Sequence, residues 1–333
     1  MDRPAKSTIG LPIEDLFGRQ VHLVTGKGGV GKSTVACALA VHFMGRGERV
    51  LLTQVNAKDS HAGLLGIEKV PDDVHQISEL LSVVNISPSQ SLKEYALMHL
   101  KFEAVYKTVF ENRLTKAFLR FIPSLSQLNM MGKLWFHAEE KTGGRPRFDR
   151  LIIDAPATGH ALDLLRVAQV VNDVTTKGPM AEKTRQMQET FQDPTRSCMH
   201  VVTFAEEMPA NETHELLAKA EMEGLIPLGM VVVNQLRERL FDEPQRQWLS
   251  QARDIPLRKD LSEDARNRIS ALVALGHRRR VREDLEREQS ERLSELALQV
   301  PRVDFPFIAR SPFVRAQIDT LAKRLDFERE ARK

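Results

Sequence analysis

The chain has 333 residues, with 48 basic against 45 acidic side chains and a formal net charge of +3. A chain this long buries a sizeable core, and 42% hydrophobic with 28% charged residues is the balance of a folded globular protein, not of a disordered one. Near-neutral charge leaves no whole-chain footprint for nucleic acid or anionic membrane, and two cysteines, Cys37 and Cys198, are too few for a disulfide framework or a four-thiolate zinc site.

Met1–Gly18 carries Glu14 and Asp15 and no long apolar run, unlike a secretory signal. No window reaches the roughly 18 apolar residues of a membrane-spanning helix, and the expected location is cytoplasmic. Val21–Thr25 then predicts a short strand ending in a glycine-rich turn, Ser33–Met44 a helix, and Val50–Gln54 a second strand. Between Asn56 and Asp154 the alternation breaks. Ser91–Phe121 and Ser124–Glu140 read as long helices, more than a strand–helix–strand crossover needs. Leu151–Ile153, Val201–Phe204 and Met230–Val233 read as further strands, and Leu261–Val300 as a long helix stopped by Pro301. The pattern predicts an α/β fold with a mainly parallel sheet flanked by helices. Residues 20–66, 146–170 and 199–328 form its core domain, and residues 67–145 and 171–198 an inserted α-helical subdomain.

Gly26-Lys27-Gly28-Gly29-Val30-Gly31-Lys32-Ser33-Thr34 satisfies G-x-x-x-x-G-K-[ST] between a predicted strand and a predicted helix. Such glycines let successive N–H groups curl inward around phosphate oxygens, and the helix N-terminus adds its positive dipole. Lys32 is placed to reach the β- and γ-phosphates and Ser33 to ligate Mg2+ through its hydroxyl. Asp154, at the end of the third strand, fits the carboxylate that holds the same Mg2+ through water.

The form G-K-G-G-V-G-K-S resembles the deviant Walker A loop of the MinD/ParA/ArsA group of dimerising ATPases. In that group the extra lysine, here Lys27, crosses the dimer interface to the partner's nucleotide. Asp154-Ala155-Pro156-Ala157-Thr158-Gly159-His160 with its apolar helix resembles the switch II segment of the ArsA/GET family, the arsenite-pump and tail-anchored-protein-targeting ATPases. The resemblance implies that Gly159 contacts the γ-phosphate. It leaves His160 open between a sensor and a plain helix-start residue. Phe204–Thr213 resembles the family's strand-to-helix segment ending in E-T, and Val232-Val233-Asn234-Gln235 its V-N-Q. By that resemblance Asn234 reads the adenine edge, while Pro306 and Phe307 belong to the loop that packs on the adenine ring.

The family's switch I reads D-P-A-H, whereas the aligned stretch here is Val55-Asn56-Ala57-Lys58-Asp59-Ser60-His61. Asn56 occupies the position of the aspartate that activates water. An amide is a poor proton acceptor, and losing such a group costs about 10²–10⁴-fold in rate. Asp59 stands three residues on and is the candidate substitute.

Met98, Phe102, Val105 and Val109 share one helical face in the insertion, as do Met180, Thr184, Met187 and Phe191, and Met130-Met131 sit near Trp135 and Phe136. These stripes are either core or, as the resemblance implies, a groove for a hydrophobic protein client. The mixed charge of His277–Glu288 reads as a solvated helix face held by i,i+4 pairs, with no nucleic-acid role. The resemblance thus implies a homodimer or a heterodimer with a paralogue, working with ATP and Mg2+. A weakly catalytic ATP-gated subunit and a MinD-like membrane-surface organiser are the alternatives. The family's metalloid site needs a cysteine trio, and its zinc-clasped dimer needs a C-x-x-C pair after Cys198; neither is present.

Overall fold

The computed structural model describes residues 13–56, 61–88, 123–174, 177–252, 260–296 and 300–326. In chain order they form α1 (Ile13–Phe17), β1 (Val21–Gly26), α2 (Lys32–Gly45), β2 (Val50–Val55), α3 (His61–Leu65), β3 (His75–Gln76) and β4 (Leu81–Ile86). Next come α4 (Pro123–Glu139), β5 (Lys141–Thr142), β6 (Arg145–Pro146), β7 (Arg150–Asp154), α5 (Thr158–Val174) and α6 (Pro179–Gln192). β8 (Ser197–Thr203), α7 (Glu207–Glu223), β9 (Leu228–Leu236), α8 (Glu243–Gln251), α9 (Glu263–Leu296), β10 (Arg302–Pro306) and α10 (Arg315–Ala322) follow, and a 3-10 turn, Lys323–Leu325, is the last described element.

The main sheet runs β10-β9-β8-β1-β7-β2-β4-β3, parallel throughout except for the β3–β4 pair. Its central strands are buried on both faces, which is why they read as continuous apolar runs. The two-residue strand period divides them. Val21, Leu23, Leu51 and Ile153 face a core shared with Met131 and Leu134 of α4, Leu162 of α5 and Leu217 of α7. Val24, Leu52, Ile152 and Val202 face the opposite core, with Val35, Leu39 and Phe43 of α2 and Ile318 and Leu321 of α10. The mainly parallel, helix-flanked sheet is the fold expected from the sequence. Among the described residues no helix is long and apolar enough to cross a membrane.

One boundary needs correction. Residues 75–86, expected inside the helical insertion, supply β3 and β4 to the main sheet, and β4 pairs with β2 from Val50↔Leu81 to Val55↔Ile86. The run Leu81-Ser82-Val83-Val84-Asn85-Ile86 is short and interrupted by two polar residues, which masked its strand character. The expected helix Ser91–Phe121, with its Met98–Val109 stripe, lies outside the described residues. Of the described stripe residues, Met130, Met131, Thr184 and Phe191 are buried, and Trp135 donates its indole N–H to Thr190 Oγ1 at 3.2 Å. Phe136 is left exposed. On α9 the basic run is tied down, with Arg279 on Glu283 (2.8 Å) and Arg282 on Glu286 (3.1 Å) at i,i+4 spacing. Arg246 of α8 and Arg237, just after β9, reach the same two carboxylates.

Both cysteines are buried thiols, and burial raises each one's pKa, Cys198 to about 12. Cys198 touches a pair of fully buried histidines, His22 of β1 and His200 of β8. Their protons can be placed by elimination. The Met230 N–H donates to His200 Nδ1 (3.2 Å), so the His200 proton sits on Nε2 and is donated to His22 Nδ1 (2.9 Å). His22 Nε2 then donates to the Arg19 carbonyl (2.9 Å). The three side chains stand close enough to hold a metal ion. Yet every ring nitrogen is already committed and the thiol is held protonated, so the trio is a satisfied core network.

Burial lowers both histidine pKa values, His200 to about 3, and the cations Arg19 and Arg150 facing the pair act in the same direction. A base depressed in the folded state stays neutral there while the unfolded chain takes its proton near about 6.5. Stability from this pair is therefore complete above about pH 6.5 and lost as pH falls. Denaturant melts between pH 7 and 4.5 are expected to show unfolding coupled to the uptake of up to about two extra protons, flattened in the double variant His22→Gln/His200→Gln.

Candidate nucleotide-binding site

The site is built at the carboxyl ends of the central strands. β1 ends at Gly26, where φ is +149°, and a Cβ there would stand 2.1 Å from the Val202 carbonyl of β8. Only glycine lets the chain leave the sheet at that point. The loop closes at Gly31, whose φ of +91° caps α2 and whose absent Cβ would meet Asn234 Nδ2 at 2.2 Å. Lys32 curls back so that its ammonium donates to the Lys27 carbonyl at 3.1 Å. Burial lowers its pKa and the nearby Asp154 opposes that shift.

Asp154 ends β7 and is 4% exposed. Its Oδ2 accepts from Ser33 Oγ at 2.6 Å and from His61 Nε2 at 2.9 Å. Its Oδ1 is buried with no hydrogen-bond partner. A carboxylate oxygen left unsatisfied beside a hydroxyl is the hard, oxygen-only donor set that Mg2+ takes, with waters filling the remaining positions. The residues therefore fit the ion expected there. The turn behind is fixed by Ala155 N–H to the Val24 carbonyl (3.0 Å) and Thr25 Oγ1 to the Pro156 carbonyl (3.1 Å).

Asn56, directly after β2, is exposed and adopts a positive φ of 49°, a conformation that asparagine tolerates well. Since β2 pairs with β7 at Gln54↔Asp154, Asn56 stands at the same edge as the buried carboxylate. Asp59 lies outside the described residues. Gly159 is exposed in the first turn of α5. His160 beside it is 81% exposed, with Nδ1 3.9 Å from Asp163.

Lys27 forms an ion pair with Glu212 of α7 at 2.5 Å, so within one chain its ammonium is held by its own subunit. Asn234 is buried against the loop. Its Nδ2 donates to the Val30 carbonyl (2.8 Å) and its Oδ1 accepts from the Gln235 N–H (2.9 Å), so the amide clamps the loop from β9. Beside it a small pocket is lined by Phe204, Glu206, Gln235, Arg237, Arg282 and Glu286. Pro306 pairs with Leu236, and the Phe307 ring carries the Arg237 guanidinium at 4.5 Å from its centroid. Loop, Asp154 and Asn56 thus meet at the ends of β1, β7 and β2, with Asn234, Pro306 and Phe307 at the ends of β9 and β10.

Two contacts escaped the sequence reading. His61 was visible only as a lone histidine five residues past Asn56, and Glu212 only as part of the E-T resemblance. Neither has a spacing signal, because each meets its partner across more than 90 residues of chain.

A glycine-rich loop between a buried strand and a helix, facing a strand-end carboxylate, defines a P-loop nucleotide-binding α/β protein. A sequence profile of the family described as "Anion-transporting ATPase" matches residues 19–180. The chain is 28% identical to "ATPase BagA" of Mycobacterium tuberculosis over 69% of its own length and 68% of that protein's. It is 28% identical to "Arsenical pump-driving ATPase" of Acidiphilium multivorum (59% of this chain, 36% of that one) and 24% identical to "ATPase GET3" of Kluyveromyces lactis (72% and 80%). These matches support the ArsA/GET family of P-loop ATPases as the family this chain resembles.

The clamp of the loop by Asn234 makes a direct prediction. Asn234→Asp keeps the acceptor for Gln235 but sets a carboxylate oxygen against the Val30 carbonyl. Urea melts are expected to show a loss of about 1–3 kcal/mol, and unchanged stability would contradict the clamp.

Proposed function

We propose that this protein is an ATP-driven switch, in which ATP and Mg2+ bound at Gly26–Thr34 and Asp154 bring two subunits face to face. The observation that carries the reading is the Ser33–Asp154 junction with Asp154 Oδ1 buried and unpartnered. The relatives' names, arsenical pump-driving ATPase among them, support nucleotide hydrolysis as the energy source. The bound Mg2+ would neutralise charge on the transferred phosphoryl group.

Within this reading the chain's own residues divide the work. The N–H groups of Gly28, Gly29, Val30 and Gly31 cradle phosphate oxygens, and Lys32 leaves the Lys27 carbonyl for the β- and γ-phosphates. Lys27 leaves Glu212 and crosses to the nucleotide of the facing subunit. At roughly a quarter to a third exposure that ion pair is weak enough to exchange for a phosphate contact. Thr34 closes the loop at the start of α2, and Gly159 follows the γ-phosphate by its N–H. Asn234 stays with the loop or turns its amide to adenine, with Pro306 and Phe307 alongside. Relaxation of residues 56–60 and 154–160 after hydrolysis would pass to the helical insertion, where release of a hydrophobic client follows.

Asn56 favours slow turnover, and Asp59, three residues on in the sequence, is the candidate substitute. Single-turnover phosphate release separates the cases. Asn56→Asp is expected to raise the rate by about 10²-fold, while Asp59→Asn leaves it within about twofold. A comparable collapse in Asp59→Asn would assign the water to Asp59 instead. Lys27→Ala is expected to keep ATP binding yet lose ATP-dependent dimerisation in light scattering; a variant that still dimerises would overturn the crossing role.

A further inference from the structure

We infer that His61 is a positioning residue for the metal site: it fixes the Asp154 carboxylate so that one oxygen stays directed at the ion's water shell, and it ties the segment after β2 to that carboxylate. The inference deepens the proposed function and rests on ATP and Mg2+ binding at this site.

The geometry is specific. His61 opens α3 and is fully buried, and its Nε2 lies 2.9 Å from Asp154 Oδ2. A carboxylate oxygen only accepts here, so Nε2 carries a proton. Ser33 Oγ donates to the same oxygen at 2.6 Å, leaving Oδ1 as the buried, unpartnered atom. When the Ser33 hydroxyl turns to the ion, Oδ2 loses that donor. His61 then remains as the Oδ2 donor that stops the carboxylate rotating about its Cβ–Cγ bond. A buried carboxylate with one donor withdrawn would otherwise have no fixed orientation, and both oxygens would exchange at the water shell.

His61 also sits just past the stretch where Asn56 replaces the acidic residue of the wider family. The amide of Asn56, exposed at the strand end, makes no hydrogen bond to Asp154. His61 is the residue after β2 that does, among those described. A change in the Asp154 environment on loss of the γ-phosphate therefore reaches the start of α3 through one hydrogen bond. The Nδ1 atom of His61 is buried without a partner, which leaves the ring held by that bond and by packing alone.

The test reads metal dependence, apart from turnover. Binding of a fluorescent ATP analogue is titrated with Mg2+ in the wild type, His61→Ala and His61→Gln, and in EDTA. Loss of an orienting partner behind a metal-site carboxylate typically costs 10–100-fold in metal affinity. His61→Ala is thus expected to raise the half-saturating Mg2+ concentration about tenfold or more, with metal-free analogue binding unchanged. His61→Gln keeps an N–H donor and is expected to recover most of the shift. A half-saturation within about twofold of wild type in His61→Ala would overturn the inference. So would equal loss of binding with and without Mg2+ in both variants, because that marks a role in folding alone. Failure of the wild type to bind the analogue at all would instead defeat the proposed function.

Discussion

The carboxylate of Asp154 is the constraint around which the rest is arranged. It sits at the end of a buried parallel strand, where an ionised group is costly unless its oxygens are matched. Oδ2 is matched twice, by Ser33 from the start of α2 and by His61 from the start of α3. Those two bonds join the P-loop, the strand β7 and the segment after β2 at a single atom. Oδ1 is left for an ion or water, and the site's chemistry follows from that asymmetry.

The sheet order makes this junction possible. β1 lies between β7 and β8, so the loop that follows β1 emerges between the Asp154 turn on one side and the β8–β9 ends on the other. Open parallel sheets place ligands in such a crevice at their carboxyl edge. The far wall is set by two close approaches that glycine alone permits, Gly26 on Val202 and Gly31 on Asn234. The same sheet buries the His22–His200 pair at the opposite end of β1, where both rings are satisfied and neutral. The sheet thus carries a satisfied polar network at the base of β1 and β8 and an incompletely satisfied one at the tip of the neighbouring β7. The incomplete one is where binding energy can be gained.

Much of this was legible in the sequence. The loop Gly26–Thr34, the strand ending at Asp154 and the long charged α9 follow from glycine spacing, apolar runs and helical periodicity. β4 was not, because Ser82 and Asn85 break its apolar run and its neighbours in the chain look helical. His61 was not, because a contact with Asp154 is set by strand order and not by local spacing. Asn234 was legible as a motif residue, yet its amide is spent on Val30 and Gln235, which no pattern conveys. Met130, Met131 and Phe191 illustrate the default for helices lying on a sheet, since they are packed inward, whereas Phe136 is not.

Amide hydrogen exchange, compared between the nucleotide-free chain and the chain with ATP and Mg2+, tests the central claim most directly. The account predicts slowed exchange at residues 26–34, 56–65 and 154–160, beyond any protection at the adenine-side residues and the subunit interface. Protection absent from all three segments, or found without any change at 56–65, would contradict a switch organised around Asp154.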